Sequence, residues 1–306
     1  MRNFASNGHI AALVTILIWG TTFISTKVLL IDFTPIEILF FRFVLGFVVL
    51  LIIFPYRMKL QHKKHELLFI CAGLCGVTLY YLLENIALTM TLASNVGVIS
   101  GMVPFSTALL TMLFLKDESL KGNFFAGFAM AMMGIFLISY NGTANFQINP
   151  LGDILAIAAT VVWAAYSVLT KKISSYGYHT IQTTRKVFLY GLILMLPALF
   201  LSDFKLGLNR FTSPVNLFNF LFLGIGASAL CFVTWNMAVS KLGAIKTSVY
   251  IYMVPVITVV TSMIVLKEQL TKLSALGILL TLAGLVVSEA KLNFKKKGRL
   301  ESRMVK

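Results

Sequence analysis

Read along the chain, apolar residues gather into long continuous runs, and short clusters of charge, Pro, Gly or Asn separate one run from the next. A helix needs about 20 apolar residues to cross the hydrocarbon core of a bilayer. Ten runs near that length emerge: Ile10 to Leu30, Pro35 to Phe54, Leu67 to Thr89, Ala93 to Leu115, Asn123 to Tyr140, Leu151 to Thr170, Thr183 to Leu201, Asn216 to Val239, Ala244 to Leu266 and Leu273 to Ala290. Barrel strands would alternate apolar and polar positions over about ten residues, whereas these runs are apolar throughout. The pattern predicts an all-α integral membrane protein of ten transmembrane helices.

Lys and Arg collect on the cytoplasmic side of membrane proteins, so their positions orient the runs. With the N-terminus inside, twenty of the 26 Lys and Arg fall on the inner side, including Arg57, Lys63, Lys64, Lys171, Lys172 and the cluster after Lys291. Five fall outside, namely Lys27, Lys205, Arg210, Lys267 and Lys272, and Arg42 lies within a run. Both termini are therefore expected in the cytoplasm, with the chain multi-pass in the plasma or inner membrane. The first run is too long for a cleaved signal peptide and has a counterpart later in the chain.

Composition agrees. Over 306 residues, 58% are hydrophobic and 12% charged, which leaves too little polar surface to coat a soluble globule. Mean hydropathy is +0.88. A net charge of +15 would raise nucleic acid as a partner, but the basic residues lie in short clusters between apolar runs rather than in one stripe. Topology and lipid headgroups explain them better. Three cysteines cannot form a fully paired set, and Cys71 and Cys75 read as small hydrophobes on one helix face.

The sequence also repeats itself at a spacing of 144 to 151 residues. Trp19 and Thr26-Lys27 return as Trp163 and Thr170-Lys171, and Asn85-Ile86-Ala87 as Asn236-Met237-Ala238. Met102-Val103-Pro104 returns as Met253-Val254-Pro255, and Glu118, Gly127 and Gly134 return as Glu268, Gly277 and Gly284. The expected units are 1–142, 143–290 and a basic cytoplasmic tail 291–306. Five spans per copy is an odd number, so the second copy enters the membrane upside down, the inverted-repeat arrangement of many secondary transporters.

These motifs resemble the drug/metabolite transporter superfamily, EamA type. The resemblance rests on Trp19-Gly20 in the first run, Arg42 in the second and Ala87-Leu88 ending the third. Pro104, Glu118 and Gly127 carry it through the fourth and fifth. It implies ten helices, alternating access, and export or uptake of amino acids, their derivatives or other metabolites. The second copy departs from it by placing Trp235 opposite Glu84 and Lys186 opposite Arg42, so the copies are expected to do different work.

Ionisable groups within spans are costly, about 2.5 to 3.5 kcal/mol each at a helix centre on insertion scales, and so mark candidate sites. Lys27, Glu37, Arg42 and Glu84 qualify. Lys27 and Glu37 lie near the interface, within snorkelling reach. Arg42 and Glu84 lie about 12 Å and about 8 Å below the outer surface at about 1.5 Å per residue, close enough in depth to form an ion pair. Two roles stay open for Glu84: neutralising Arg42, or binding a substrate ammonium or a proton. The repeat adds Asn85, Trp235 and Asn236 to the candidate substrate-binding set, and Trp19 and Trp163 as midplane indoles with an N–H to offer. Asn95, Ser100, Tyr250 and Tyr252 form a polar face on the fourth and ninth runs, where Pro104 and Pro255 are expected to kink their helices.

The favoured function is secondary active transport, more often export, of a small metabolite through a central site between the copies. A proton is a candidate coupling ion. No cofactor, metal or nucleic-acid partner is expected, and a monomer suffices, with a dimer left open. An intramembrane enzyme is the rival from another class, but His-Glu-x-x-His and Gly-x-Ser-x-Gly motifs are absent. His62 and His65 lack further ligands for zinc, and Gly224-x-Gly226 has no preceding strand to make a dinucleotide loop. A channel would want charge rings or a carbonyl filter, and the sequence offers neither.

Overall fold

The computed structural model describes residues 2–90, 96, 99–115, 122–140, 149–202, 204–265 and 271–289, and among them the chain is helical with no strand. Its first half contains α1 (Arg2–Leu29), α2 (Pro35–Ile53), α3 (His65–Gly73, a π-helical stretch Leu74–Leu79, then Tyr80–Met90), α4 (Val103–Phe114) and α5 (Gly122–Tyr140). The second half contains α6 (Pro150–Ser174), α7 (Thr180–Leu201) and α8 (Pro214–Leu221, π-helical Phe222–Leu230, Cys231–Leu242). After these come α9 (Ala244–Val249, a 3-10 turn Tyr250–Tyr252, Met253–Val265) and α10 (Lys272–Glu289).

Local chemistry sets the starts and stops. Thr34 and Glu37 form a capping box that spans Pro35 at the first turn of α2, and the Asn149 side chain caps α6 ahead of Pro150. Proline suits the first helical turn because its missing N–H has no partner there to lose. Gly243 ends α8 at φ 93°, a conformation that side-chain-bearing residues rarely adopt. The sequence expects Pro104 and Pro255 to kink continuous helices. Pro104 lies in the first turn of Val103–Phe114, after a turn at Gly101-Met102, and Pro255 follows the 3-10 turn Tyr250–Tyr252 within α9.

Among the described residues six helices are long and apolar enough to cross a bilayer, including Pro35–Ile53, Pro150–Ser174 and Pro214–Leu242. Their outer surfaces carry large exposed apolar side chains: Phe200 is 87% exposed, Leu201 90% and Leu113 74%. Such a surface would associate in water and is at home in lipid. The protein is a multi-pass membrane protein.

The packing exchanges the two halves. α1 packs on α8 and α9, while α6 packs on α3 and α4. Likewise α2 packs on the π-helical stretch of α8, and α7 on that of α3. α5 and α10 pack on each other antiparallel through glycines: a Cβ on Gly127 would lie 2.5 Å from the Gly284 carbonyl oxygen, and one on Gly134 2.5 Å from that of Gly277. The converse contacts, from Gly284 and Gly277, are equally tight at 2.6 Å.

Polar clamps tie the halves together at both ends. Glu37, expected from the sequence to snorkel at the interface, is only 1% exposed. Its carboxylate accepts from the Thr34 and Lys205 backbones at 2.8 Å each and from Arg210 at 2.9 and 3.1 Å. A distant loop thus provides what water would otherwise supply. At the opposite end Lys186 pairs with Glu66 at 2.7 Å, and Arg185 donates to the Phe54 and Tyr56 carbonyls.

Candidate functional site

A cavity of about 110 Å³ lies between the halves. That volume exceeds the space one water needs several times over. Trp19, Thr22 and Thr26 line it from α1, three and then four residues apart and so on one helical face. Ile38, Leu39 and Arg42 come from α2, and Tyr80, Tyr81, Glu84 and Asn85 from α3. Ser100 and Val103 close it at the start of α4, with Trp163 from α6 and Ile251 and Val254 from α9.

The π-helical stretch 74–79 aims the α3 residues. Gly73 meets the Gly191 backbone and Gly76 the Tyr166 ring, at distances where a Cβ would collide, and the Thr78 hydroxyl donates to the Gly191 carbonyl at 2.9 Å. A π-turn inserts an extra residue and rotates everything after it, and such turns recur at functional sites. Here the segment that follows is the one carrying Tyr80, Tyr81 and Glu84.

The ion pair expected between Arg42 and Glu84 is not formed. Arg42, 6% exposed, donates its Nε–H to Ser228 Oγ at 2.9 Å and lies 5.0 Å from the Tyr81 ring centre. Glu84, 9% exposed, accepts from the Tyr80 hydroxyl at 2.8 Å. α8 holds the guanidinium to one side while Tyr80, one turn before Glu84, holds the carboxylate to the other. Both groups stay on the cavity wall, and among the described residues their hydrogen-bond partners are neutral side chains that do not fill a guanidinium's five N–H donors or a carboxylate's roughly four acceptor sites.

The two midplane indoles meet edge to face, ring centres 5.3 Å apart, with Trp235 5.2 Å from Trp19. Their N–H groups differ. Trp19 donates to the Ala227 carbonyl at 3.0 Å, whereas the Trp163 N–H, on the cavity wall and buried, has no partner among the described residues.

Of the other sequence candidates, Asn85 and Ser100 line the cavity, the Ser100 hydroxyl donating to the Val96 carbonyl at 2.8 Å. Trp235, Asn236, Tyr250 and Tyr252 do not line it. Asn236 is engaged by the Tyr166 hydroxyl at 2.9 Å and by Thr184 at 3.0 Å, and Tyr250 bonds to His9 at 2.5 Å. Trp235 and Tyr252 are fully buried. Asn95 and the side chain of Lys27 lie outside the described residues. Sequence reasoning missed Tyr80, Tyr81, Thr22 and Thr26. A signal was present, since Tyr80 stands four before Glu84, and Thr22 and Thr26 stand three and seven after Trp19.

The sequence profile of the EamA-like transporter family matches residues 6–140 and again 150–289. The chain belongs to the EamA-like transporter family. A transporter of Archaeoglobus fulgidus, named as uncharacterized, is 29% identical over 94% of this chain and 98% of its own length. An Escherichia coli K12 protein, named "Probable amino-acid metabolite efflux pump", is 23% identical over 94% and 96%. A crystal structure with 20% identity shares the fold, with a TM-score of 0.74 over 93% of this chain and 96% of that one. Family and relatives point to transport rather than catalysis. In this EamA-like chain no cluster of three or more His, Cys, Asp or Glu side chains could hold a metal among the described residues.

Proposed function

We propose that this chain exports a small zwitterionic metabolite, such as an amino acid or derivative, by alternating access. In this reading ten spans form two inverted copies, 1–142 and 143–290, with both termini cytoplasmic, and the cavity is the site exposed to one side. The observation that carries it is that Arg42 and Glu84 share the cavity wall without pairing. Burying an ion with so few partners costs several kcal/mol unless a counter-charge arrives. A zwitterion brings two, a carboxylate for Arg42 and an ammonium for Glu84, and leaves the site neutral. The Trp163 N–H adds a donor and the aromatic walls take an apolar side chain. The efflux name of the Escherichia coli relative supports export, and the twenty-to-five distribution of basic residues supports the orientation.

Counterflow in proteoliposomes tests the reading. Vesicles preloaded with a mixture of amino acids should accumulate the labelled counterpart, and amine-only or carboxylate-only analogues should compete poorly. Equal competition by either half-molecule, or uptake without saturation, would overturn it.

A further inference from the structure

Beyond the indole wall of the cavity, where the Trp235 ring lies 5.2 Å from Trp19 and 5.9 Å from Trp163, a group of polar side chains is buried with no hydrogen-bond partner among the described residues. Thr107 and Thr111 on α4, Ser167 on α6, Trp235 on α8 and Tyr252 on α9 each carry a hydroxyl or indole N–H with no hydrogen bond among the described residues. α4 packs on α6 and on Ala244–Val249 of α9, and Cys231–Leu242 of α8 packs on both α6 and that same segment. These helices meet in one four-helix junction, and the five groups lie on the segments that form it or, for Tyr252, on the 3-10 turn that follows Ala244–Val249. Each orphaned donor or acceptor costs about 1–3 kcal/mol, and native proteins keep few of them without a reason.

The repeat supplies the reason. Carried across at 144 or 151 residues, Thr22, Arg42 and Glu84 of the cavity wall become Tyr166, Lys186 and Trp235. Tyr166 and Trp235 are both 0% exposed, and Lys186 is turned away onto Glu66 at 2.7 Å. The counterpart of the cavity is thus filled by two large aromatic side chains where the cavity has a threonine and a carboxylate. We infer that this junction is the second half of the ligand's path in its closed state, and that its hydroxyls and indole N–H meet water and ligand once the cavity end closes. The inference rests on the alternating-access reading above. It also assigns the two half-paths different chemistry. One carries Arg42 and Glu84, and the other offers uncharged hydroxyl and indole groups.

Water access to the junction decides the matter. In a chain with Cys71, Cys75 and Cys231 replaced by alanine, Ser167→Cys and Thr111→Cys are exposed to a membrane-impermeant cationic methanethiosulfonate. The reagent is added to one face of proteoliposomes at a time. Thiolates form in water and not in lipid, so both should react from the face bearing the termini roughly tenfold faster than the lipid-facing control Leu113→Cys. Thr26→Cys in the cavity should react from the other face. If Ser167→Cys and Thr111→Cys react no faster than the control while Thr26→Cys still reacts from its own face alone, the second half-path is not here, and alternating access survives. Reaction of Thr26→Cys at full rate from both faces at once would remove alternating access and this inference with it. Thr107→Cys reads the same junction should either variant fail to insert.

Discussion

Glu84 and Arg42 make separable claims on stability and transport. Each already has its own neutral partner, Tyr80 or Ser228, and no bond joins them. Glu84→Gln should therefore leave a folded protein, because the amide can still accept from Tyr80. Transport should fall about 10- to 100-fold, the worth of one hydrogen bond to a charged group at about 1.5–3 kcal/mol. The double change with Arg42→Gln should not restore it. Rescue to wild-type transport in the double variant would return the two residues to a structural pair. The two midplane indoles should part company in the same way. Trp19→Phe removes the donor to the Ala227 carbonyl and should lower thermal stability by about 1–3 kcal/mol, whereas Trp163→Phe removes a donor that has no partner among the described residues and should leave stability nearly unchanged. Trp163→Phe should instead raise the KM for transport with the folded yield intact, measured by fluorescence-detected size exclusion beside uptake.

Helix contacts of two kinds hold the halves together, and they fail differently. The α5–α10 crossing depends on glycine alone, so Gly134→Ala or Gly277→Ala should each overpack it by about 1–3 kcal/mol, read as a lower melting temperature in detergent. The clamp at the other contact depends on charge. Glu37→Gln keeps an acceptor for the capping box but discards the anion that Arg210 grips, and should lower stability by about 1–3 kcal/mol without the loss of transport expected of Glu84→Gln. Helix placement was readable in advance because a span must be apolar for about 20 residues. The π-helical stretches at 74–79 and 222–230 were not, since a π-turn arises from packing demands around Gly73, Gly76 and Gly224 rather than from any composition of its own.

At the scale of the whole molecule, orientation is the first matter to measure. Cysteines at His62 and Asn209, both exposed and lying between the long helices, should label from opposite faces of the membrane, His62→Cys from the cytoplasm. Labelling of both from one face would break the inverted arrangement and the proposed function together. Membrane class, helix positions and the pairing of residues across the repeat followed from the sequence alone, because apolar run length and recurring motifs are properties of the chain in order. Which groups share a cavity did not. Arg42 and Glu84 looked like mates by depth, but depth says nothing of rotation about the helix axis, and it took Ser228 on α8 and the rotated segment after the π-stretch to hold them apart. Glu37 looked interfacial, yet a loop some 170 residues away supplies its cation. The repeat placed Trp235 and Asn236 opposite Glu84 and Asn85 and brought both into the candidate substrate-binding set. Three-dimensional packing instead filled one end of the bundle with tryptophan and tyrosine and left the other end open, because unequal side-chain volumes at matched positions decide where a pseudo-symmetric scaffold keeps its empty space.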